Sequence, residues 1–93
     1  MSIVVRFNPA NLTKEMYDES LRRMEQAGLW PDPAGLELHV LFGSDDDLRV
    51  SEIWSSPEQL QAFGDQLMPI LTDVGIEFSA EPEIFEVHNL VKR

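Results

Sequence analysis

Hydrophobic and polar positions alternate along Ser2 to Phe7, with Ile3, Val5 and Phe7 on one side and Val4 and Arg6 on the other. That period of two predicts a half-buried first strand, closed by Asn8-Pro9, because proline cannot continue a ladder. The pattern then changes period. Leu12, Met16, Leu21 and Met24 recur at helical spacing, with Tyr17 and Ser20 beside them. Thr13 is suited to cap this helix, Glu15 and Asp18 favour its positive end, and Gly28-Leu29 reads as a C′ glycine with its hydrophobic follower. The first helix is therefore expected over residues 13–27. A rigid connector, Trp30-Pro31-Asp32-Pro33-Ala34-Gly35, follows it.

From Leu36 to Phe42 the alternation returns, with Leu36, Leu38, Val40 and Phe42 facing one way and Glu37, His39 and Leu41 the other. Gly43-Ser44-Asp45-Asp46-Asp47 predicts a hairpin loop, and Leu48 to Ser55 the returning strand. Ser56-Pro57-Glu58-Gln59 signals a capped helix start, with Leu60, Phe63 and Leu67 as its buried stripe. Pro69 is expected to kink or break that helix, and Gly75 to stop it. Ser79 to Glu83 reads as a polar connector and Ile84 to Val91 as the last strand, with Phe85, Val87 and Val91 alternating against Glu86 and His88.

The order β-α-β-β-α-β predicts one α+β domain over residues 1–93. Right-handed crossovers around a central hairpin give a ferredoxin-like, four-stranded antiparallel sheet with both helices on one face. The other face is left bare, with Val4, Leu41 and Ile84 or Leu90 expected on it. An uncovered apolar patch of this kind is relieved by pairing two sheets face to face, so a homodimer is expected.

Composition adds exclusions. At 93 residues and 10.6 kDa, with 43% hydrophobic and 26% charged residues, the chain is an ordinary globular domain with one modest core. It has no cysteine, which removes disulfides and thiolate chemistry. A net charge of −10 argues against nucleic-acid binding and against an anionic membrane surface. The start Met-Ser-Ile-Val-Val-Arg lacks a signal-peptide pattern and no apolar run has the length of a membrane span, so a cytoplasmic location is expected.

The candidate chemistry sits on the strands. His39 and His88 are the only histidines, each two residues from an acid, Glu37 and Glu86. One hairpin register sets His39 opposite Glu52 and Glu37 opposite Trp54. A slip of one residue sets Glu52 opposite Leu38 and strands a carboxylate among apolar side chains, which is costly. A bulge would allow both registers. His39, Glu52 and His88 together could act as base, acid or metal ligand. The competing reading is a semi-polar face between subunits, held by His–Glu hydrogen bonds. Trp54 is either a pocket wall or core beneath the second helix. Tyr17 could aim its phenol at a pocket, and Arg6 could pair Glu37, Glu86 or a ligand carboxylate. No metal site is expected, since no i,i+4 ligand spacing occurs, and Asp45-Asp46-Asp47 lacks the remaining ligands of a calcium loop.

The stretch Gly35-Leu36-Glu37-Leu38-His39-Val40, then Leu48-Arg49-Val50-Ser51-Glu52-Ile53-Trp54-Ser55-Ser56, then a helix with Phe63, resembles the dimeric α+β-barrel superfamily. Within it, the chain is similar to small antibiotic-biosynthesis-monooxygenase-like proteins. The resemblance implies a homodimer that takes a small aromatic or apolar ligand, with cofactor-independent oxygenation as one activity and a non-catalytic dimeric module as the alternative. It also implies that Trp54 lines a pocket. No cofactor is expected. The haem degraders of this group use a histidine on the helix after the tryptophan, where this chain has Phe63, Gly64 and Asp65. The oxygenases carry an asparagine where this chain has Val50.

Overall fold

The computed structural model describes residues 1–92 and has the βαββαβ order anticipated above. Strand β1 (Ile3–Pro9), helix α1 (Lys14–Gln26), the hairpin β2 (Leu36–Ser44) and β3 (Asp47–Trp54), helix α2 (Pro57–Val74) and strand β4 (Phe78–Glu86) follow in sequence. The sheet order is β2-β3-β1-β4, with antiparallel pairing throughout. Among the described residues, no helix is long and apolar enough to cross a membrane.

The helix ends follow from single residues. The Thr13 hydroxyl accepts from the Met16 amide at 3.1 Å. At the other end Gly28 adopts φ +77, and the Leu29 amide reaches back to the Met24 carbonyl at 2.8 Å, which satisfies one of the carbonyls the helix leaves open. Ser56 caps α2 through the Gln59 amide, and Gly75 closes it in the left-handed conformation. Helix α2 runs unbroken through Pro69, so the expected break does not occur. Pro69 is exposed, so water can satisfy the Asp65 carbonyl that lacks its usual donor.

The core lies between sheet and helices, built on Ile3, Val5, Met24, Trp54 and Phe63. Trp54 is fully buried and its ring centroid is 5.2 Å from that of Phe63. Such a tilted aromatic pair contributes roughly 0.5–1.5 kcal/mol beyond the area it buries.

Two expectations are corrected here. The last strand is Phe78–Glu86, not Ile84–Val91. The segment Ser79–Glu83 is polar because β4 is an edge strand, exposed over most of its length, and an edge tolerates both its charges and Pro82. His88 therefore falls beyond the strand and is exposed.

The second correction concerns β2. Leu38 to Ser44 pair with β3 in the register that sets His39 opposite Glu52, while Leu36 pairs with Trp54. The extra residue, Glu37, forms a bulge that reverses the facing between Leu36 and Leu38. Its carboxylate is pinned by the Ser2 hydroxyl at 2.6 Å and the Ser55 hydroxyl at 3.0 Å. Leu36 thus joins the core, whereas Leu38, Val40 and Phe42 are on the open face. His39 and Leu41 turn toward the helices. The open face carries Leu38, Ile53, Val4 and Phe85 in one row across all four strands, rather than Leu41 and Ile84. Leu38 and Phe85 are 44% and 51% exposed.

Candidate functional site

The hairpin register and the bulge bring His39 and Glu52 together beneath the helices. Glu52 is only 3% exposed, so its carboxylate must be fully partnered. His39 Nδ1 lies 2.7 Å from Glu52 Oε2, and the Trp54 indole N–H donates to Oε1 at 3.0 Å. Tyr17, on the first turn of α1, completes the chain with its hydroxyl 2.6 Å from His39 Nε2. A carboxylate only accepts, so Nδ1 carries the proton. When the imidazole is neutral, its Nε2 offers a lone pair to the Tyr17 O–H. This is the orientation of a general base held in one tautomer from behind.

The aromatic rings hold this chain in place. Tyr17 lies nearly parallel to His39, with centroids 5.8 Å apart, and Trp30 meets the imidazole edge-on at 4.8 Å. Burial pushes the Tyr17 phenol above its usual range, and the negative charges of Glu52 and then Asp18 push it the same way.

The chain forms one wall of a cleft between sheet and helices, with Met24, Trp30, Phe63, Leu67 and Phe78 among its other walls. The cleft leaves about 70 Å³ reachable by the centres of water-sized molecules. That is room for a few waters, and it falls short of a tricyclic aromatic. Among the described residues no buried side-chain nitrogen or oxygen lacks a hydrogen-bond partner.

The sequence-derived candidates separate into two sets. Tyr17, His39 and Glu52 converge, while His88, Trp54 and Arg6 do not line the cleft. The expected trio of His39, Glu52 and His88 does not form. Among the described residues no three of His, Asp and Glu converge as a metal set. Trp54 lies beneath the site as core, and its indole anchors Glu52 instead of walling a pocket. Arg6 is on the open face opposite Ser51 and Glu83, on the other side of the sheet from His39. Trp30 was missed as a site residue. Its place in a proline-flanked connector carries no periodicity that would reveal which ring it meets.

Comparison with known proteins supports the fold. No protein-family model and no curated protein matches the sequence. Solved structures do match over nearly the whole chain. SnoaB, a cofactor-independent oxygenase from Streptomyces nogalater, is 15% identical, with TM-score 0.59 over 99% of this chain and 96% of its own. A heme-degrading protein from Mycobacterium tuberculosis is 21% identical, with TM-score 0.55 over 99% and 100%. A protein described as an antibiotic biosynthesis monooxygenase from Deinococcus radiodurans is 14% identical, with TM-score 0.58 over 100% and 98%. The chain therefore has the ferredoxin-like α+β fold of the antibiotic-biosynthesis-monooxygenase-like proteins. Fold alone does not fix the chemistry.

Proposed function

We propose that this protein binds a small aromatic or apolar molecule in the cleft and oxygenates it without a cofactor, His39 serving as general base. The observation that carries the proposal is the Glu52–His39–Tyr17 chain set into an apolar cleft. The description of SnoaB as a cofactor-independent oxygenase points the same way. A substrate methylene made acidic by flanking carbonyl and aryl groups gives a proton to Nε2. The resulting carbanion is attacked by dioxygen, and loss of water leaves a ketone. The CH₂ group and O₂ balance C=O and H₂O, so no external reductant enters. His88 has no part in this reaction, because it lies outside the cleft.

The protein works as a homodimer through the open sheet face. The apolar row Leu38, Ile53, Val4 and Phe85 supports this, since such a surface is costly in a monomer.

A second reading, a non-catalytic dimeric module, draws support from the fully partnered buried polar atoms and the small cleft. Turnover of phenylacetone, a one-ring ketone whose methylene lies between aryl and carbonyl groups, under air and under nitrogen, separates the two. The oxygenase reading expects aerobic turnover that falls roughly 10²–10⁴-fold in His39→Gln and is unchanged in His88→Gln. Absence of turnover by the wild type favours the module.

A further inference from the structure

The polar atoms of the cleft are all engaged, but they are not equally fixed. Glu52 holds its partners from within the sheet: His39 is its cross-strand neighbour and Trp54 lies two residues along the same strand. The Ser20 hydroxyl is spent on the Met16 carbonyl of its own helix at 2.8 Å. Tyr17 differs. It comes from the helix layer, its ring is half-buried, and its hydroxyl makes one side-chain contact, to His39 Nε2. Rotation about its side-chain bonds would carry the phenol toward solvent without moving a strand. It would also uncover Nε2 and add the volume of a phenol ring to the cleft.

We infer that the Tyr17 phenol is a removable stand-in for the ligand, filling the place at His39 Nε2 that the hydroxyl of a phenol or enol takes when Tyr17 swings out. This rests on the proposed use of the cleft as a small-molecule site, and it names the ligand class as hydroxylated aromatics. The stand-in has the features it substitutes for: an aromatic ring lying 22° from the imidazole plane and an O–H donated to the same nitrogen. Its raised pKa keeps that phenol protonated, and so a donor, at neutral pH. Exchange of one phenol O–H···N bond for another changes little in free energy, so the closed site opens to a matching ligand. An aromatic lacking the hydroxyl loses the Tyr17–His39 bond and gains none. Glu52 is a positioning residue here, fixing the tautomer that leaves Nε2 an acceptor.

The test compares the affinities of 2-naphthol and 2-methoxynaphthalene at about pH 7.5 by calorimetry. The readout is each affinity and their ratio in wild type, Tyr17→Phe, Tyr17→Leu and Tyr17→Phe/His39→Leu. With the stand-in removed, both compounds should bind about two- to ten-fold more tightly, the worth of the one Tyr17–His39 hydrogen bond that no longer has to be broken, and the ratio in favour of 2-naphthol should stay at its wild-type value. That ratio should fall toward one in the double variant, because leucine offers no acceptor. Tyr17→Leu reports the same gain if Tyr17→Phe does not fold. In the wild type, Tyr17 is the only tyrosine, so ¹³C labelling at its ζ carbon gives one resonance, which 2-naphthol should shift. Affinities that do not rise in the Tyr17 variants, no preference for 2-naphthol in the wild type, or a resonance that stays put at saturation overturns the stand-in while leaving the cleft as a site. Binding of neither compound to any form contradicts the cleft as a site and the stand-in with it.

Discussion

The Nδ1 of His39 and the Oε2 of Glu52 lie 2.7 Å apart, joined across neighbouring strands on the helix-covered side of the sheet. The same carboxylate takes the Trp54 indole N–H on its other oxygen. Removing it leaves a buried indole N–H and a buried imidazole N–H without acceptors. Glu52→Leu should therefore cost more than Glu52→Gln, which keeps one accepting oxygen. The Gln variant should lose about 1–3 kcal/mol, the usual cost of one orphaned buried polar group. Urea midpoints at constant m-value give the answer, and a Gln variant within 0.5 kcal/mol of wild type, a margin usual for surface changes, contradicts it.

The Tyr17 phenol should ionise late. Burial and the charges of Glu52 and Asp18 disfavour the phenolate, so its native pKa lies above the unfolded value of about 10. A raised native pKa means that this contribution to stability is fully present below about pH 10 and is lost as pH rises through the native value. Absorbance near 295 nm follows Tyr17 alone, as no other tyrosine is present. Onset at the ordinary pH in the folded protein contradicts the packing described. Glu52→Gln should bring the onset down, since it removes one of the charges.

Glu37 gives the opposite sign. The Ser2 and then the Ser55 hydroxyl donate to its carboxylate and hold it below the usual carboxylate range, with smaller help from Lys92 and the N-terminal ammonium. The associated stability is present above the unfolded value of about 4.3 and is lost as pH falls through the native one. Glu37→Gln should flatten the acid side of the stability curve. An acid limb identical to that of the wild type would place the bulge's hold elsewhere.

The helix ends and the hairpin were legible in the sequence because local chemistry decides them: Thr13 and Ser56 as caps, Gly28 and Gly75 as stops, and turn-forming residues between two alternating runs. The hairpin register was not, because polarity and the family resemblance favoured different pairings of Glu52 and Trp54. The facing of β2 was not legible by alternation alone. One inserted residue, Glu37, inverts every side chain from Leu38 onward, and its hold depends on Ser2, a residue 35 positions away. The β4 boundary was missed because an edge strand needs few apolar residues. The site was half legible. His39, Glu52 and Tyr17 stood out by type, whereas Trp30 reaches His39 only through the folded path of its connector.

Two glycines test the helix-end reading. Gly28 sits at φ +77 with nothing near its would-be Cβ, so Gly28→Val should cost roughly 1–2 kcal/mol from backbone strain alone. Gly64 has helical backbone and open space at its Cβ position, so Gly64→Ala should stabilise by up to about 1 kcal/mol. Equal melting temperatures for the two variants contradict this assignment.

The open face should close on a second copy. Light scattering should give about twice the 10.6 kDa chain mass, over an interface on the order of 2,000 Å². Phe85→Glu places a charge in the apolar row and should return the protein to monomer with its circular dichroism intact. A wild-type mass near 10.6 kDa at micromolar concentration rejects the dimer.

The central claim is that His39 is a base held with Nδ1 protonated and Nε2 free to accept. Two-bond ¹H–¹⁵N NMR correlation of the imidazole at about pH 8, above the ordinary histidine range, reads this directly. Only His39 and His88 contribute signals, and His39→Gln assigns them. The account predicts the Nδ1–H tautomer for His39. In Glu52→Gln that preference should weaken. An Nε2–H tautomer in the wild type would contradict the claim, because the lone pair would then face Glu52 and no base would be available to Tyr17 or to a ligand.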